Sequence, residues 1–331
     1  MPSPTVYDVA EKAGVSIATV SRVLNTPERV SEGTRARVLE AVDALRFVPR
    51  AEATARARRG SGRIGVLAPF FTFPSFVERL AGVAGALANR PYELAIYNVD
   101  SSSRRDSYLA SLAVMRSVDG LIVMALPFGQ AASDRLVAHG LDAVAIEFSQ
   151  EPFSSIRIDD RAGGRMAAEY LLERGHRRVG FVGDAELPDY AIHTSDWRLE
   201  GYRLALADAG VPIAESHVAV APHGLENARS CAHTLLALQE PPTAIFAASD
   251  YQALGVLKAA RERGLSVPGD LAVIGFDDLE MAGYLGLTTI RQPLAESGRV
   301  AVDLMLARLA DPTRPAQRIR LPVTLIPRET A

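Results

Sequence analysis

Seven short apolar runs set the main constraint on the fold: IGVLA (64–68), LAIY (94–97), GLIVM (120–124), AVAI (143–146), VGFVG (179–183), AIFAA (244–248) and LAVIGF (271–276). Each is too short for a helix and too uniformly apolar for a strand with one wet face, and a helical pattern is expected after each. That repeat predicts strands of a mostly parallel sheet, covered on both faces. About 270 residues of it exceed what one such sheet usually holds, so two α/β lobes are expected. With 48% hydrophobic residues in 331, the chain can fill such cores.

Residues 1–60 read differently. They carry 10 Lys/Arg against 7 Asp/Glu, a local charge of +3, whereas the remainder is −6 and the whole chain −3. A small basic head on an acidic body is a weak pointer to nucleic acid. Thr5 can cap a first helix, with Asp8 in its positive first turn and Gly14 ending it. Val6, Val9, Ala10 and Ala13 form its apolar stripe. Ser16 can cap a second helix with Val20, Val23 and Leu24 inward. A third runs from near Ser31 to about Leu45 with Val38, Leu39, Val42 and Leu45 inward. Two short helices about a glycine turn, then a third, make a helix-turn-helix. Its second helix would project Ile17, Ala18, Ser21 and Arg22 outwards, with Thr19 near the capped end. Small side chains allow close entry into a major groove, and arginine can grip a guanine edge. A three-helix bundle with a solvated polar face fits the spacing equally well.

Other chemistries lack their signatures. There is no GxGxxG or Walker A loop, no GxSxG elbow and no HExxH, and the six histidines are scattered. No catalytic set announces itself, so no enzyme, cofactor or metal is expected. One cysteine, Cys231, makes neither a disulfide framework nor a zinc site. The start MPSPTVYDVAEK has no apolar signal core and no run is long enough to span a membrane, so a cytoplasmic protein is expected. Several strands end in polar residues: Asp184, Ser249 with Asp250, and Asp277 with Asp278. Ligands of open α/β sheets bind at such ends. Helix capping is the competing explanation. It is preferred for Asp250 and Asp278, and ligand contact for Ser249 and Asp277.

TVYDVAEKAGVSIATVSRVLN followed by VSEGTRARVLEAVDALRFVP closely resembles the head of the LacI/GalR family of bacterial regulators. The body resembles that family's core in IDDRAGGRMAAEYLLERGHRRVGFVGD (158–184) and SVPGDLAVIGFDDLEMAGYLGLTTIRQPLAESGRVAVDLML (266–306). The resemblance implies an all-α helix-turn-helix head on a two-lobed α/β core of doubly wound parallel sheets, like periplasmic binding proteins. It implies a head at 1–49, a hinge at 50–61 and a core at 62–331. Lobe one would be 62–160 plus 292–320, and lobe two 162–290 plus 323–331.

It also implies roles. Thr5 and Tyr7 would touch phosphate. Ser16 would cap the reading helix beside DNA, Ile17 and Ala18 would choose among operators, and Thr19, Ser21, Arg22 and Asn25 would contact DNA. In the hinge, Arg56 falls where relatives wedge a leucine into the minor groove. Arginine can enter a narrow minor groove by charge but cannot part bases as an apolar wedge does. A minor-groove contact and a plain solvated basic linker both remain open for 50–61. In the core, Phe73, Phe76, Glu147, Arg198, His223, Ser249 and Asp277 fall at or near effector positions, with core packing the alternative for each Phe. His176 is read as structural. The implied partners are a double-stranded DNA operator, a small polar effector of carbohydrate type and a second copy of the chain. The chain stops at ETA without leucine heptads, so a homodimer is expected. Control by a protein partner or a non-sugar ligand is the alternative, and a receptor or enzyme ranks lower.

Overall fold

The computed structural model describes residues 4–25, 29–45, 47, 61–185 and 188–331. The segment 50–60 with Arg56, and the side chain of Asn25, lie outside the described residues. The head contains α1 (Val6–Ala13), α2 (Ile17–Asn25) and α3 (Glu32–Leu45). Thr5 and Asp8 form a reciprocal capping box, which satisfies backbone donors the first turn would otherwise leave unpaired. Gly14 closes α1 at φ 63°, a left-handed conformation that a residue without Cβ adopts at little cost. Val9, Ala10, Ala13, Val20, Val23, Leu24, Val38, Leu39 and Val42 are buried together, as the stripes predict.

The body alternates β1 (Arg63–Ala68), α4 (Pro74–Leu87), β2 (Glu93–Asn98), α5 (Ser102–Met115), β3 (Gly120–Met124), α6 (Gln130–Ala138), β4 (Asp142–Ile146) and β5 (Ser154–Arg157). It continues with α7 (Asp160–Glu173), β6 (Val179–Asp184), α8 (Thr194–Asp208), β7 (Val218–Ala221), α9 (Leu225–Leu235), β8 (Ala244–Ala247), α10 (Asp250–Glu262) and β9 (Ala272–Asp277). The last elements are α11 (Glu280–Tyr284), β10 (Thr288–Arg291), α12 (Leu294–Ala310), β11 (Arg318–Arg320) and β12 (Thr324–Ile326). One six-stranded sheet has the order β11-β5-β4-β3-β1-β2 and the other β12-β10-β9-β8-β6-β7. The neighbouring pairs from β1 to β5 are parallel, as are those from β6 to β10, whereas β12 runs antiparallel to β10. The chain divides into two compact units. One comprises Met1–Phe71, Val83–Ile156 and Arg299–Arg318; the other comprises Thr72–Gly82, Arg157–Gly298 and Ile319–Ala331.

All seven apolar runs are strands. The helix expected after AVAI is not there: residues 147–153 lead straight to β5, which pairs in parallel with β4. With only seven residues available and Pro152 among them, no helix fits. In the second unit α7 and α8 touch at their backbones. A Cβ on Gly164 would stand 1.9 Å from the Arg198 carbonyl oxygen, and one on Gly201 would stand 2.0 Å from that of Arg161. This approach places the Arg198 side chain beside the start of α7.

Candidate functional site

Two places in the fold present convergent polar groups, one on the head and one at strand ends in the second unit. On the head, Ser16 Oγ accepts from Thr19 N at 3.1 Å and lies 2.9 Å from the Thr19 hydroxyl. Ser16 thus caps α2, while Val20, Val23 and Leu24 anchor the opposite face. Ile17, Ala18, Ser21 and Arg22 are exposed on the remaining face, and Thr19 is half-buried. Tyr7 stands 68% exposed on the neighbouring α1. A two-turn helix with a small-residue face, one arginine and a packed reverse side has the dimensions and donors a major groove accepts.

In the second sheet, strand order reverses at β6: β7 lies on one side of it, and β8, β9 and β10 on the other. Such a switch point opens a crevice at the carboxyl ends of the strands. Asp184 ends β6, Ser249 follows β8 and Asp277 ends β9. Gln252, from the first turn of α10, donates through Nε2 to Asp184 Oδ1 at 2.9 Å, and so bridges the switch point. His223 donates through Nδ1 to the same oxygen at 2.9 Å. The His223 ring stacks on Phe73 (centroids 4.5 Å apart, planes at 19°) and on Tyr251 (5.7 Å, 12°).

Arg198, on α8, is 5% exposed. It donates from Nε to Asp160 Oδ1 at 2.9 Å and from Nη1 to the Ala248 carbonyl at 2.6 Å. Its Nη1 is 3.8 Å from Asp277, and its guanidinium lies 3.6 Å above the Phe276 ring centre. Gln292 donates to Asp277 and accepts from Arg79 Nη2 at 3.1 Å. Asp277 holds φ at 119°, a conformation that costs a non-glycine residue of order 1 kcal/mol and recurs where side chains are aimed at ligands. The result is a cradle of carboxylates, amides, an imidazole and a paired guanidinium, with aromatic rings at its edge. Hydroxyl groups match that mixture of acceptors and donors.

Phe73, Arg198, His223, Ser249 and Asp277 all belong to this part of the second unit. The Ser249 hydroxyl accepts from Gln252 N at 3.1 Å and donates to Gln252 Oε1 at 3.0 Å, so it caps α10 and orients Gln252. Phe76 is only 7% exposed. Glu147 belongs to the other unit, at the end of β4, with φ 75°. His176 lies 2.9 Å from Thr243 Oγ1 in a half-buried position; burial first, then the Arg174 charge, lowers its pKa. Two capping assignments are corrected. Asp250 does not cap: it is fully buried in the first turn of α10, where Leu279 N and the Thr289 hydroxyl donate to its carboxylate. Burial, then the neighbouring Asp277 charge, pushes its pKa well above the usual carboxylate range. Asp278 does not cap either, because it pairs with Arg291 and Arg328. Sequence reasoning did not assign site roles to Asp160, Tyr251, Gln252 and Gln292. Only the ending of VGFVGD signalled Asp184.

Among the described residues, no group of three or more His, Cys, Asp or Glu side chains is placed to hold a metal ion. No helix among them is long and apolar enough to cross a membrane.

Comparison with known proteins agrees with this two-part reading. Residues 5–50 match the family model described as bacterial regulatory proteins, lacI family, and residues 168–331 match the periplasmic binding protein-like domain. The HTH-type transcriptional repressor PurR of Photorhabdus laumondii subsp. laumondii is 34% identical, over 98% of this chain and 96% of its own. The structure of the transcriptional regulator CelR–cellobiose complex superposes with a TM-score of 0.71 at 29% identity, covering 99% of this chain and 100% of that one. The lac repressor dimer bound to operator and the anti-inducer ONPF superposes with a TM-score of 0.71 at 28% identity, covering 99% of each chain. This chain belongs to the lacI family of bacterial regulatory proteins and is a DNA-binding transcriptional regulator with a small-molecule-binding core.

Proposed function

We propose that this regulator is a repressor: two copies read a pseudo-palindromic operator, and a small polar effector of carbohydrate type in the strand-end cradle changes their hold on it. A twofold dimer calls for a twofold site. The head would be residues 1–49, the hinge 50–61 and the core 62–331, with lobe one as 62–160 plus 292–320 and lobe two as 162–290 plus 323–331. Ile17 and Ala18 select the half-site, and Arg22 grips a base edge. Thr5, Tyr7, Ser16, Thr19 and Ser21 hold backbone and base edges, together with Asn25 and Arg56. Arg198, His223 and Asp277 bind the effector, with Phe73, Phe76, Glu147 and Ser249 around it. By linkage, effector and operator alter each other's affinity by the same factor. Such a protein works in the cytoplasm and performs no catalysis.

The observation that carries this reading is the capped α2, with Ile17, Ala18, Ser21 and Arg22 exposed over a buried apolar face. Arg22→Ala tests it. A bidentate base contact is worth about 1–3 kcal/mol of discrimination, so the variant, losing one in each of two half-sites, is expected to give up about 2–6 kcal/mol of its preference for operator over random duplex while its core keeps its ligand affinity. Undiminished discrimination by Arg22→Ala would refute the assignment of α2.

A further inference from the structure

Charge decides among the small polar molecules the cradle could take. Within the second unit its acidic side chains are Asp160, Asp184 and Asp277 and its basic ones Arg198 and Arg79. Both guanidiniums are buried, at 5% and 2% exposure. Arg198 is paired with Asp160, donates to the Ala248 carbonyl and lies 3.8 Å from Asp277. Arg79 donates to the Gln292 amide and lies 5.8 Å from the Phe76 ring centre. A phosphate that drew Arg198 off Asp160 would break a buried ion pair, which is costly, and three carboxylates stand against the two guanidiniums.

The other means of holding a phosphate are also committed. The chain has two lysines, Lys12 in the head and Lys258, which pairs with Glu262 on the exposed side of α10. At the amino end of α10, where a helix offers N–H groups to an anion, the Ser249 hydroxyl takes the Gln252 N–H and Asp250 adds a buried carboxyl in the first turn. At the amino end of α8 the Ser195 hydroxyl accepts from Asp184 N at 3.0 Å, and Asp196 supplies negative charge in the first turn. Meanwhile Asp184 and Asp277 would face an incoming anion with like charge. Among the described residues both donors to Asp184 converge on Oδ1, so Oδ2 is the acceptor it can offer a hydroxyl.

We infer that the cradle selects an uncharged, hydroxyl-rich effector, a free sugar or a nucleoside, and rejects its phosphorylated form. This rests on the cradle being the effector site. The test is calorimetric titration of the full chain with three pairs: glucose and glucose 6-phosphate, ribose and ribose 5-phosphate, adenosine and AMP. The uncharged member of at least one pair is expected to bind, and its phosphate at least about tenfold more weakly, given like-charge repulsion from Asp184 and Asp277. Binding by the glucose or ribose pair alone identifies a sugar site, and binding by adenosine over both sugars a nucleoside site. Asp184→Asn is expected to narrow the gap between the two members, and a gap indifferent to it overturns the role given to Asp184. A phosphate that binds as tightly as its parent overturns the charge rule and leaves the effector site standing. If no member of any pair binds, the carbohydrate-type effector falls and this inference falls with it.

Discussion

Arg198→Met removes one partner of a buried ion pair and keeps most of the side-chain volume. Asp160, itself only 7% exposed, would lose the 2.9 Å bond that compensates its charge, and the Ala248 carbonyl would lose a charged donor. Breaking a buried pair on one side costs about 3–5 kcal/mol, and the Ala248 bond falls within that range because the two losses are not independent. We therefore expect about 4 kcal/mol of destabilisation of the second unit. Removing both charges together, as Arg198→Met with Asp160→Leu, no longer strands the Asp160 charge, and hydrophobic replacement of a whole buried pair is often neutral or better; the Ala248 bond and the 3.8 Å approach to Asp277 stay lost. The double variant should regain part of the loss, the share owed to the stranded Asp160 charge, while responding to no effector. Trp197 is the only tryptophan and sits on α8 next to Arg198, so its fluorescence in a urea titration reports the unit concerned. A single variant that loses less than about 1 kcal/mol, or a double variant no more stable than the single, would refute the argument that the network is buried and mutually dependent.

Other perturbations follow from single side chains. Tyr202 is fully buried among Phe181 and Phe246, and its hydroxyl has no hydrogen-bond partner among the described residues; Tyr202→Phe should raise stability by about 1 kcal/mol in the same titration. Glu262 is held down to about 2, by His233 first and then Arg229. Its folded-state pKa lies below the ordinary 4.5, so its contribution is present above about 4.5 and is lost as pH falls towards about 2. Glu262→Gln should lower stability at neutral pH, where the ionised pairing is fully present, and match the parent chain near pH 2, so that its fall in stability across that window is flatter. Thr5→Ala deletes the capping box of α1 and should cost the head about 1 kcal/mol, read as lower helicity on heating an isolated head only if that head folds, and otherwise as faster hydrogen exchange at Val9 in the full chain.

The strands that were legible contain apolar runs of four to six residues, although the apolar VAVA of β7 (Val218–Ala221) was missed. β5 and β10 escaped because they begin SSIR and TTIR, yet Ser154, Ser155, Thr288 and Thr289 are at most 2% exposed. Three of their hydroxyls are satisfied at a distance, Ser154 by Gln317 N, Thr289 by Asp250 and Thr288 by Arg328 N. Buried polar groups are tolerated when bonded, and bonds between residues 39 to 163 positions apart leave no local pattern. The same reasoning explains the site. Asp184 and Asp277 show in the sequence because they end apolar strands. Asp160 and Gln292 look like a helix start and a loop, and become site residues only where the chain brings them to Arg198 and Asp277. Ser249 and Asp250 stand side by side, and burial rather than spacing decided which caps the helix and which accepts bonds in the core.

The central claim is that one chain couples sequence reading in its head to small-molecule binding in its core. The most direct measurement is selection of bound sequences from random duplex DNA at physiological salt, followed by titration of free sugars and nucleosides into the selected complex. The account predicts an enriched pseudo-palindrome whose complex is released or tightened by an uncharged ligand, and an equal, reciprocal change in ligand affinity when operator is present. No enriched sequence, or an enriched sequence whose complex ignores a ligand shown to bind the core, would contradict it.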